Sequence, residues 1–160
     1  LAQDNVQFMD LIKNDVSRYC DHFATPHVLF VLATAALVTP EVFDRAVHTY
    51  FKNKPAVLLS TTKYPISPFW GLSRDQSGTW RPLFPEMAHL PTDQHPMSRV
   101  DAGAFYTLDI ERCQHVQSIF EANPLEIFDI PDYAALDIDT HQDWDQLVER
   151  YEKIKQTNTL

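Results

Sequence analysis

The segment AALDIDTHQDW, residues 134–144, combines the signals of a strand, a turn and a helix. Its apolar first half predicts a short buried strand, in which side chains two residues apart point to the same face. Asp137 and Asp139 are therefore expected to hold two carboxylates side by side at the end of that strand. Two carboxylates, completed by water and phosphate oxygens, are what Mg²⁺ usually takes from a protein. We predict Asp137 and Asp139 as Mg²⁺ ligands.

A helix is predicted directly after the two carboxylates. Thr140 is a favoured N-cap residue, and Asp143 occupies the capping-box position three residues later. The cap fixes the point at which the strand ends. This sets the direction in which both carboxylates point. One apolar face follows at helical spacing, formed by Trp144, Leu147, Val148, Tyr151 and Ile154. Because Asp-x-Asp at a strand end is more often structural than metal-binding, other parts of the chain have to support the metal site.

The composition limits the classes of protein to which this chain can belong. The 160 residues are enough for one domain, and the hydrophobic content of 44% is ordinary for a folded chain. The net charge of −9 argues against a nucleic acid or an anionic membrane as partner. Cys20 and Cys113 are far apart without metal-type spacing, and the seven histidines form no zinc pattern. We expect a soluble cytoplasmic protein without a membrane or nucleic-acid partner.

Helices and strands alternate in the first third of the chain. The spacing of apolar residues predicts a helix over residues 5–23, and residues 27–32 form an apolar run typical of a strand covered on both faces. Thr39, followed by proline and glutamate, starts a second helix, and residues 56–62 form another buried strand. This alternation predicts an α/β fold with a mostly parallel sheet and helices on both faces.

The middle of the chain, residues 63–100, carries most of the prolines and predicts an excursion from the sheet. The sequence DQSG, residues 75–78, is typical of a hairpin turn between residues 69–74 and 79–84. Such an arm packs either on a partner subunit or on its own domain, and the sequence leaves both alternatives open.

The last third predicts a strand over residues 104–108, a helix from Asp109 to about Phe120 and a strand over residues 125–130. In a doubly wound sheet, ligands lie beyond the carboxyl ends of the strands, where Thr34 and the Asp137 segment are both expected. None of the three glycines opens a helix, so a glycine-rich phosphate loop is missing from these residues.

Four motifs stand out along the chain: Thr34-Ala35, Phe84-Pro85-Glu86, Asp101-Ala102-Gly103-Ala104-Phe105-Tyr106, and Asp137-Ile138-Asp139-Thr140 with Asp143-Trp144. Together they resemble the acylneuraminate cytidylyltransferases, and among them most the enzymes that act on pseudaminic acid. The likeness covers the chain from near its start to Tyr151, and the order and spacing of the motifs agree.

The resemblance implies a Rossmann-like nucleotidyltransferase domain spanning residues 1–160, with residues 63–100 as a β-hairpin arm that reaches across a homodimer. It implies transfer of CMP from CTP to a nine-carbon acidic sugar, pseudaminic acid or a related nonulosonate, with release of pyrophosphate. Asp137 and Asp139 would be the catalytic residues and hold Mg²⁺. The segment from Asp101 to Tyr106, which includes Gly103, would line the sugar pocket, where Phe105 or Tyr106 packs on the ligand.

The phosphates and the carboxylate of such substrates need polar and cationic partners. Thr34 is a candidate substrate-binding residue. Lys63, Arg74, Arg81 and Arg99 are candidates for the sugar's carboxylate, and Lys63 and Arg99 are selected as substrate-binding residues. Arg99 is nearest in sequence to the Asp101 motif.

The chain departs from the family pattern at several places. It starts about a third of the way into that pattern, without the first strand and the basic glycine-rich loop, so it corresponds to the C-terminal two-thirds. Ala36 replaces a proline, Pro91 stands where an arginine is usual, and Leu32 argues against sialic acid itself.

Two alternatives follow from these features. One is a non-catalytic, dimer-forming remnant of the fold, in which these 160 residues alone are inactive. The other is a nucleotide-sugar glycosyltransferase, which also uses Asp-x-Asp. It is disfavoured because only about twenty residues follow the motif.

Overall fold

The structure, a computed structural model, describes residues 7–157. Asn5 and Val6, at the start of the first predicted helix, lie outside the described residues. The elements are α1 (Phe8–Leu11), a π-helical segment (Ile12–Val16), α2 (Ser17–Phe23), β1 (His27–Val31), α3 (Pro40–Asn53), β2 (Val57–Thr62), β3 (Leu72–Arg74), β4 (Trp80–Pro82), β5 (Val100–Asp109), α4 (Ile110–Cys113), β6 (Leu125–Asp129) and α5 (His141–Thr157).

The described residues form a mixed α/β fold around a four-stranded sheet with the order β1-β5-β2-β6. β2 and β6 are parallel, whereas β5 runs antiparallel to both of its neighbours, β1 and β2. The prediction of a mostly parallel sheet is therefore wrong for these strands. The physical reason is the connection from β2 to β5. Residues 63–99 provide no helical crossover, so the chain returns beside β2 in the opposite direction, as antiparallel strands allow.

Helices cover both faces of the sheet, as predicted. Side chains alternate along β2, so Leu58 points to one face while Val57 and Leu59 point to the other. The first face carries α3 and α5, which contribute Val42, Ala46, Tyr50 and Leu147 to the core. The opposite face carries the N-terminal helices, which contribute Met9, Ile12 and Cys20. The helix start at Thr39 is also confirmed, because α3 begins at Pro40.

β1 is an edge strand of the described sheet and pairs only with β5 among the described strands. His27 and Val31 at its two ends are exposed, and the three apolar residues between them are half-buried. The sequence HVLFV, which predicted a strand covered on both faces, is thus only partly covered here.

The predicted hairpin is confirmed. β3 and β4 form a separate two-stranded antiparallel sheet, with Leu72 opposite Pro82 and Arg74 opposite Trp80. Asp75 organises the turn between them: its carboxylate accepts hydrogen bonds from the backbone N–H groups of Ser77 and Thr79, each at 2.9 Å. We call residues 63–99 the arm.

Acid is expected to loosen this turn only well below the usual titration range of a carboxyl group. Hydrogen bonds from Ser77, Arg81 and Thr79 lower the pKa of Asp75 from 3.8 to about 2. A lowered pKa in the folded state stabilises the hairpin fully above pH 3.8, and this contribution is lost as the pH falls toward 2. Titration of the side-chain carbon of Asp75 by NMR should give a midpoint near 2.

The control for this prediction is Asp75→Asn, which removes the charge. The Ser77 and Thr79 amide signals of this variant should already be shifted at pH 7 and should change little between pH 4 and pH 2. A wild-type midpoint near 3.8 would contradict the prediction.

The predicted helix from Asp109 to about Phe120 is much shorter in the structure. Asp109 does cap a helix, by accepting a hydrogen bond from the Arg112 N–H at 3.2 Å, but α4 ends at Cys113. Ser118 accepts from the Phe120 N–H and starts a separate 3₁₀ turn, Ile119–Glu121. The local side-chain hydrogen bond at Ser118 competes with continuation of the helix. Within residues 7–157, no helix combines the length and the apolar character needed to cross a membrane.

Candidate functional site

The sheet topology brings several predicted site residues to one edge. β1, β2 and β6 run in the same direction, and β5 runs against them. The carboxyl ends of β1, β2 and β6 therefore meet the beginning of β5. Thr34 follows β1, Lys63 follows β2, and Arg99 and Asp101 lie at the start of β5. The antiparallel direction of β5, which the sequence did not predict, is what places Arg99 and Asp101 at this edge.

The motif from Asp101 to Tyr106 forms a large bulge in β5. Asp101 pairs with Thr61 and Tyr106 with Leu59, so residues 102–105 of β5 lie opposite Ser60 alone. Gly103 adopts a φ of +59° within the bulge, a left-handed conformation that favours glycine. A carboxylate oxygen of Asp101 accepts from the Gly103 N–H at 2.9 Å and fixes this turn.

Tyr106 and Asp101 are joined across the bulge. The Tyr106 hydroxyl donates to Oδ2 of Asp101 at 2.9 Å. Burial foremost, then the hydrogen bond to Asp101 and the charges of Asp101 and Asp137, raises the pKa of Tyr106 well above its usual value. Tyr106 is therefore a neutral hydrogen-bond donor at neutral pH.

A cavity of about 400 Å³ lies beside Tyr106 and Asp101. It combines a carboxylate, hydroxyl and amide groups with an aromatic wall, the mixture that suits a molecule rich in hydroxyl groups. The ring of Phe120 is 59% exposed and is the most accessible apolar surface among the lining residues. The other lining residues include Gln7, Phe8, Leu32, Gln117 and Ser118.

The sequence analysis missed residues 117–120 as part of this cavity. A helix predicted through Phe120 would have placed them on a regular helical surface. The signal that could have identified the break is Ser118, a favoured capping residue within the predicted helix.

Phe105 does not contact the cavity, so its predicted role in packing on a ligand is wrong. Its side chain is fully buried in the core beneath α3. The ring centroid of Phe105 lies 5.2 Å from that of Phe43 and 6.2 Å from that of Phe128. Neighbouring side chains of a strand point to opposite faces, so Tyr106 reaches the cavity while Phe105 enters the core.

Asp137 and Asp139 lie in an irregular segment, residues 135–139, that pairs with no strand among the described residues. The predicted strand is wrong, but the predicted alternation is retained. Leu136 and Ile138 pack against the core, whereas both aspartates are exposed. The segment keeps its two carboxylates on the solvent side because its apolar residues anchor the opposite side.

Arg150 of α5 anchors the chain just before the two aspartates. Its Nη1 donates to the backbone carbonyl oxygens of Asp132, Tyr133 and Ala135, at 3.5, 3.2 and 3.4 Å. β2 adds a further hydrogen bond, from the Thr62 hydroxyl to Asp132 at 3.1 Å. These contacts replace the ladder of a strand. Arg150 was not identified from the sequence, where no local pattern marks it.

Asp143 anchors the other end of the segment and confirms the predicted capping box. Its Oδ2 accepts from the Thr140 N–H at 2.9 Å, from the Thr140 hydroxyl at 2.7 Å and from the Asp139 N–H at 3.3 Å. The Asp143 N–H donates back to the Thr140 hydroxyl at 3.3 Å. The hydrogen bonds from Thr140 hold the pKa of Asp143 below its usual range. The two carboxylates are thus held between two contacts with α5.

The two carboxylates fit Mg²⁺ that is shared with a substrate. Neither the Asp137 nor the Asp139 side chain has a hydrogen bond or ion pair within residues 7–157, so their oxygens are available as ligands. The described residues contain no group of three or more His, Cys, Asp or Glu side chains that could enclose a metal. Mg²⁺ ordinarily uses one or two carboxylates and completes its octahedron with water and phosphate oxygens. This donor set agrees with that use and not with a closed structural site.

Arg99 is held by a carboxylate. Its Nε lies 2.8 and 2.9 Å from the two carboxylate oxygens of Asp129, which also accepts from the Thr61 hydroxyl at 2.8 Å. Burial alone would raise the pKa of Asp129, but the hydrogen bonds from Arg99 and Thr61 and the charges of Arg99 and Lys63 outweigh it and lower the pKa. Lys63 is exposed and forms no ion pair within the described part of the chain. Lys63 is therefore the more available cation of the two.

Searches against models of known protein families and against curated proteins find no match for this chain. What the site does has to follow from its own geometry and charges.

Proposed function

We propose that this chain is a nucleotidyltransferase domain of the acylneuraminate cytidylyltransferase type. It transfers CMP from CTP to a nine-carbon acidic sugar, pseudaminic acid or a related nonulosonate, and releases pyrophosphate. The observation that supports this most is the hydrogen bond at the cavity: the Tyr106 hydroxyl donates to Asp101 at 2.9 Å, and both residues line the 400 Å³ cavity. A cavity with hydrogen-bonding groups, in a chain that also exposes the Asp137 and Asp139 carboxylates, suits a reaction between a phosphate and a hydroxylated molecule.

The cavity beside Tyr106 takes the sugar. Asp101 accepts hydrogen bonds from sugar hydroxyl groups, Tyr106 and Ser118 exchange hydrogen bonds with them, and the exposed Phe120 ring packs on the apolar face of the sugar. Held there, the anomeric hydroxyl faces the α-phosphorus of CTP. A new P–O bond forms as the hydroxyl proton passes to water, and the P–O bond to the β-phosphate breaks with its electron pair leaving on pyrophosphate.

Asp137 and Asp139 hold Mg²⁺ against the phosphates in this proposal. When bound, the ion supplies positive charge that offsets the negative charge growing on the phosphate oxygens. Arg150 and Asp143 keep the two carboxylates in a defined position, which matters because phosphoryl-type transfer depends mainly on positioning and electrostatics.

The sugar's carboxylate lies away from Asp101 and Asp137, whose like charges would repel it. The exposed ammonium group of Lys63 is the available cation at this edge, and Thr34 is a neutral hydrogen-bonding group there. In this proposal Arg99 leaves its ion pair with Asp129 and binds the substrate's anionic group instead.

The proposal also includes a sheet that extends beyond β1 and a homodimer formed through the arm. The edge strand β1, HVLFV, contains no lysine or proline, the residues that usually protect an edge. This supports a nucleotidyltransferase sheet that continues beyond β1. The arm exposes Ile66, Trp70, Leu72, Trp80 and Met97, which supports a homodimer in which the arm packs on the second subunit.

A turnover assay tests the proposal. The protein is incubated with CTP, Mg²⁺ and pseudaminic acid, and both pyrophosphate and the CMP-sugar are measured, the latter by mass spectrometry. We expect both products in equal amounts, no turnover when Mg²⁺ is chelated, and weaker turnover when UTP replaces CTP or N-acetylneuraminic acid replaces pseudaminic acid.

Absence of turnover by a folded protein that also fails to bind the sugar would overturn the catalytic proposal in favour of a non-catalytic remnant. Transfer of a sugar from a CMP- or UDP-sugar to an acceptor would instead indicate a glycosyltransferase.

A further inference from the structure

α5 carries apolar side chains that remain exposed, in addition to those that pack in the core. The predicted apolar face divides in two: Leu147 is buried and Ile154 packs against the core. Trp144, Val148 and Tyr151, at positions i, i+4 and i+7, are 54%, 43% and 50% exposed. We call these three residues the α5 stripe. Residues at this spacing lie on one side of a helix and form a continuous surface.

Carboxylates border the α5 stripe on one side. Asp145, Glu149 and Glu152 follow one another at helical spacing next to it. Glu149 is paired with Lys153 at 2.6 Å. Asp145 and Glu152 form no ion pair within residues 7–157, so their charges are uncompensated there. A partner of this surface needs an apolar face that carries an unpaired cation.

The hairpin of the arm has that composition. The β3–β4 register places Leu72, Arg74, Trp80 and Pro82 on one face, which we call the hairpin face. All four side chains are exposed, with Leu72 and Trp80 at 59% and 64%. A two-stranded hairpin is marginally stable in water unless such a face is covered.

Arg74 is the cation of the hairpin face. Its Nε donates to the Gly78 carbonyl oxygen at 2.9 Å, and it pairs with no carboxylate in the described part of the chain. Arg81 points to the opposite face and is already paired with Asp75 at 2.9 Å. The charge of Arg74 therefore lies beside apolar side chains without a described carboxylate partner, and it is opposite in sign to the carboxylates beside the α5 stripe.

We propose that the hairpin face of one copy of this chain docks on the α5 stripe of a second copy, with Arg74 against the partner's Asp145 and the partner's Glu152. The inference rests on the homodimer of the proposed function and names the surface that receives the arm. In a dimer with two-fold symmetry this contact occurs twice, because the hairpin face of each copy docks on the α5 stripe of the other. With two tryptophans in each contact, the pair buries on the order of 1,000 Å², the lower bound for a specific interface.

Charge reversal with rescue tests the docking. The dimer dissociation constant is measured by sedimentation velocity for the wild-type protein, Arg74→Glu, Glu152→Arg and the combined variant. Each single reversal should weaken the dimer at least about tenfold, and the combination should restore most of the loss. Arg45→Glu, an exposed arginine on α3, is the matched control and should leave the dimer unchanged.

The outcomes separate this inference from the proposed function. A dimer that Arg74→Glu weakens but Glu152→Arg leaves intact overturns the α5 surface while the homodimer stands. A wild-type monomer at 100 µM overturns the docking, whereas cytidylyl transfer is judged by the turnover assay alone. Thermal unfolding of every variant within a few degrees of wild type excludes misfolding as the cause of a loss.

Discussion

Asp139→Asn is expected to lower Mg²⁺-dependent pyrophosphate release on the order of 100- to 1,000-fold, about 3 to 4 kcal/mol of transition-state stabilisation. The amide keeps the shape of the side chain but removes the charge that holds the ion. Asp137→Asn should have an effect of similar size. Because the Asp139 side chain is exposed and has no described protein partner, neither fold nor capping box should change.

Two measurements check this prediction. Pyrophosphate release is followed over a range of Mg²⁺ concentrations, and Mn²⁺ binding in the presence of CTP is followed by electron paramagnetic resonance. The variant should bind Mn²⁺ about tenfold more weakly even if the wild-type chain turns over slowly. Asp44→Asn, an exposed carboxylate on α3, is the matched control and should behave as wild type. Near-normal turnover and Mn²⁺ binding by Asp139→Asn would refute the metal site.

Phe105→Ala is expected to destabilise the protein by about 3 to 5 kcal/mol. The ring is fully buried and packs between Phe43 and Phe128, so truncation leaves a cavity that the sheet and α3 cannot close. For a domain of this size the melting temperature should fall by roughly 10 °C or more. Phe105→Leu, which fills most of the volume, should cost much less.

Tyr106→Phe is the informative comparison for Phe105→Ala. It keeps the ring and removes the hydroxyl that donates to Asp101 at 2.9 Å. We expect a loss of about 1 kcal/mol in stability but a clear loss in sugar affinity, measured by isothermal titration calorimetry. If Phe105→Ala instead retained its urea midpoint and lost sugar binding, the assignment of Phe105 to the core would be wrong.

Features encoded by neighbouring residues could be predicted from the sequence. α3 starts after Thr39 because Pro40 suits the first helical position, and the hydrogen bonds of the Thr140 and Asp143 capping box join residues three positions apart. The turn at residues 75–78 has the same local origin. The alternation of residues 135–139 also survived without a strand, because burial of Leu136 and Ile138 requires it.

Features that depend on contacts between distant residues could not be predicted. The bulge at Gly103 decides which face of the sheet Phe105 and Tyr106 each point to, and it depends on the pairing of β5 with β2. The partners of Arg99 and Arg150 lie 30 and up to 18 residues away in the chain. The spacing of residues within a single helix or strand does not reveal such pairs.

The sequence by itself determined the α/β composition, the start of α3, the hairpin and the exposed aspartate pair, because each depends on short-range hydrogen bonds or on burial of one side of a segment. The tertiary structure alone decided the direction of β5, the burial of Phe105, and the hydrogen bond between Tyr106 and Asp101 beside the cavity. These depend on which strands become neighbours in the sheet. That choice follows from packing of the whole core and not from the preference of any one segment.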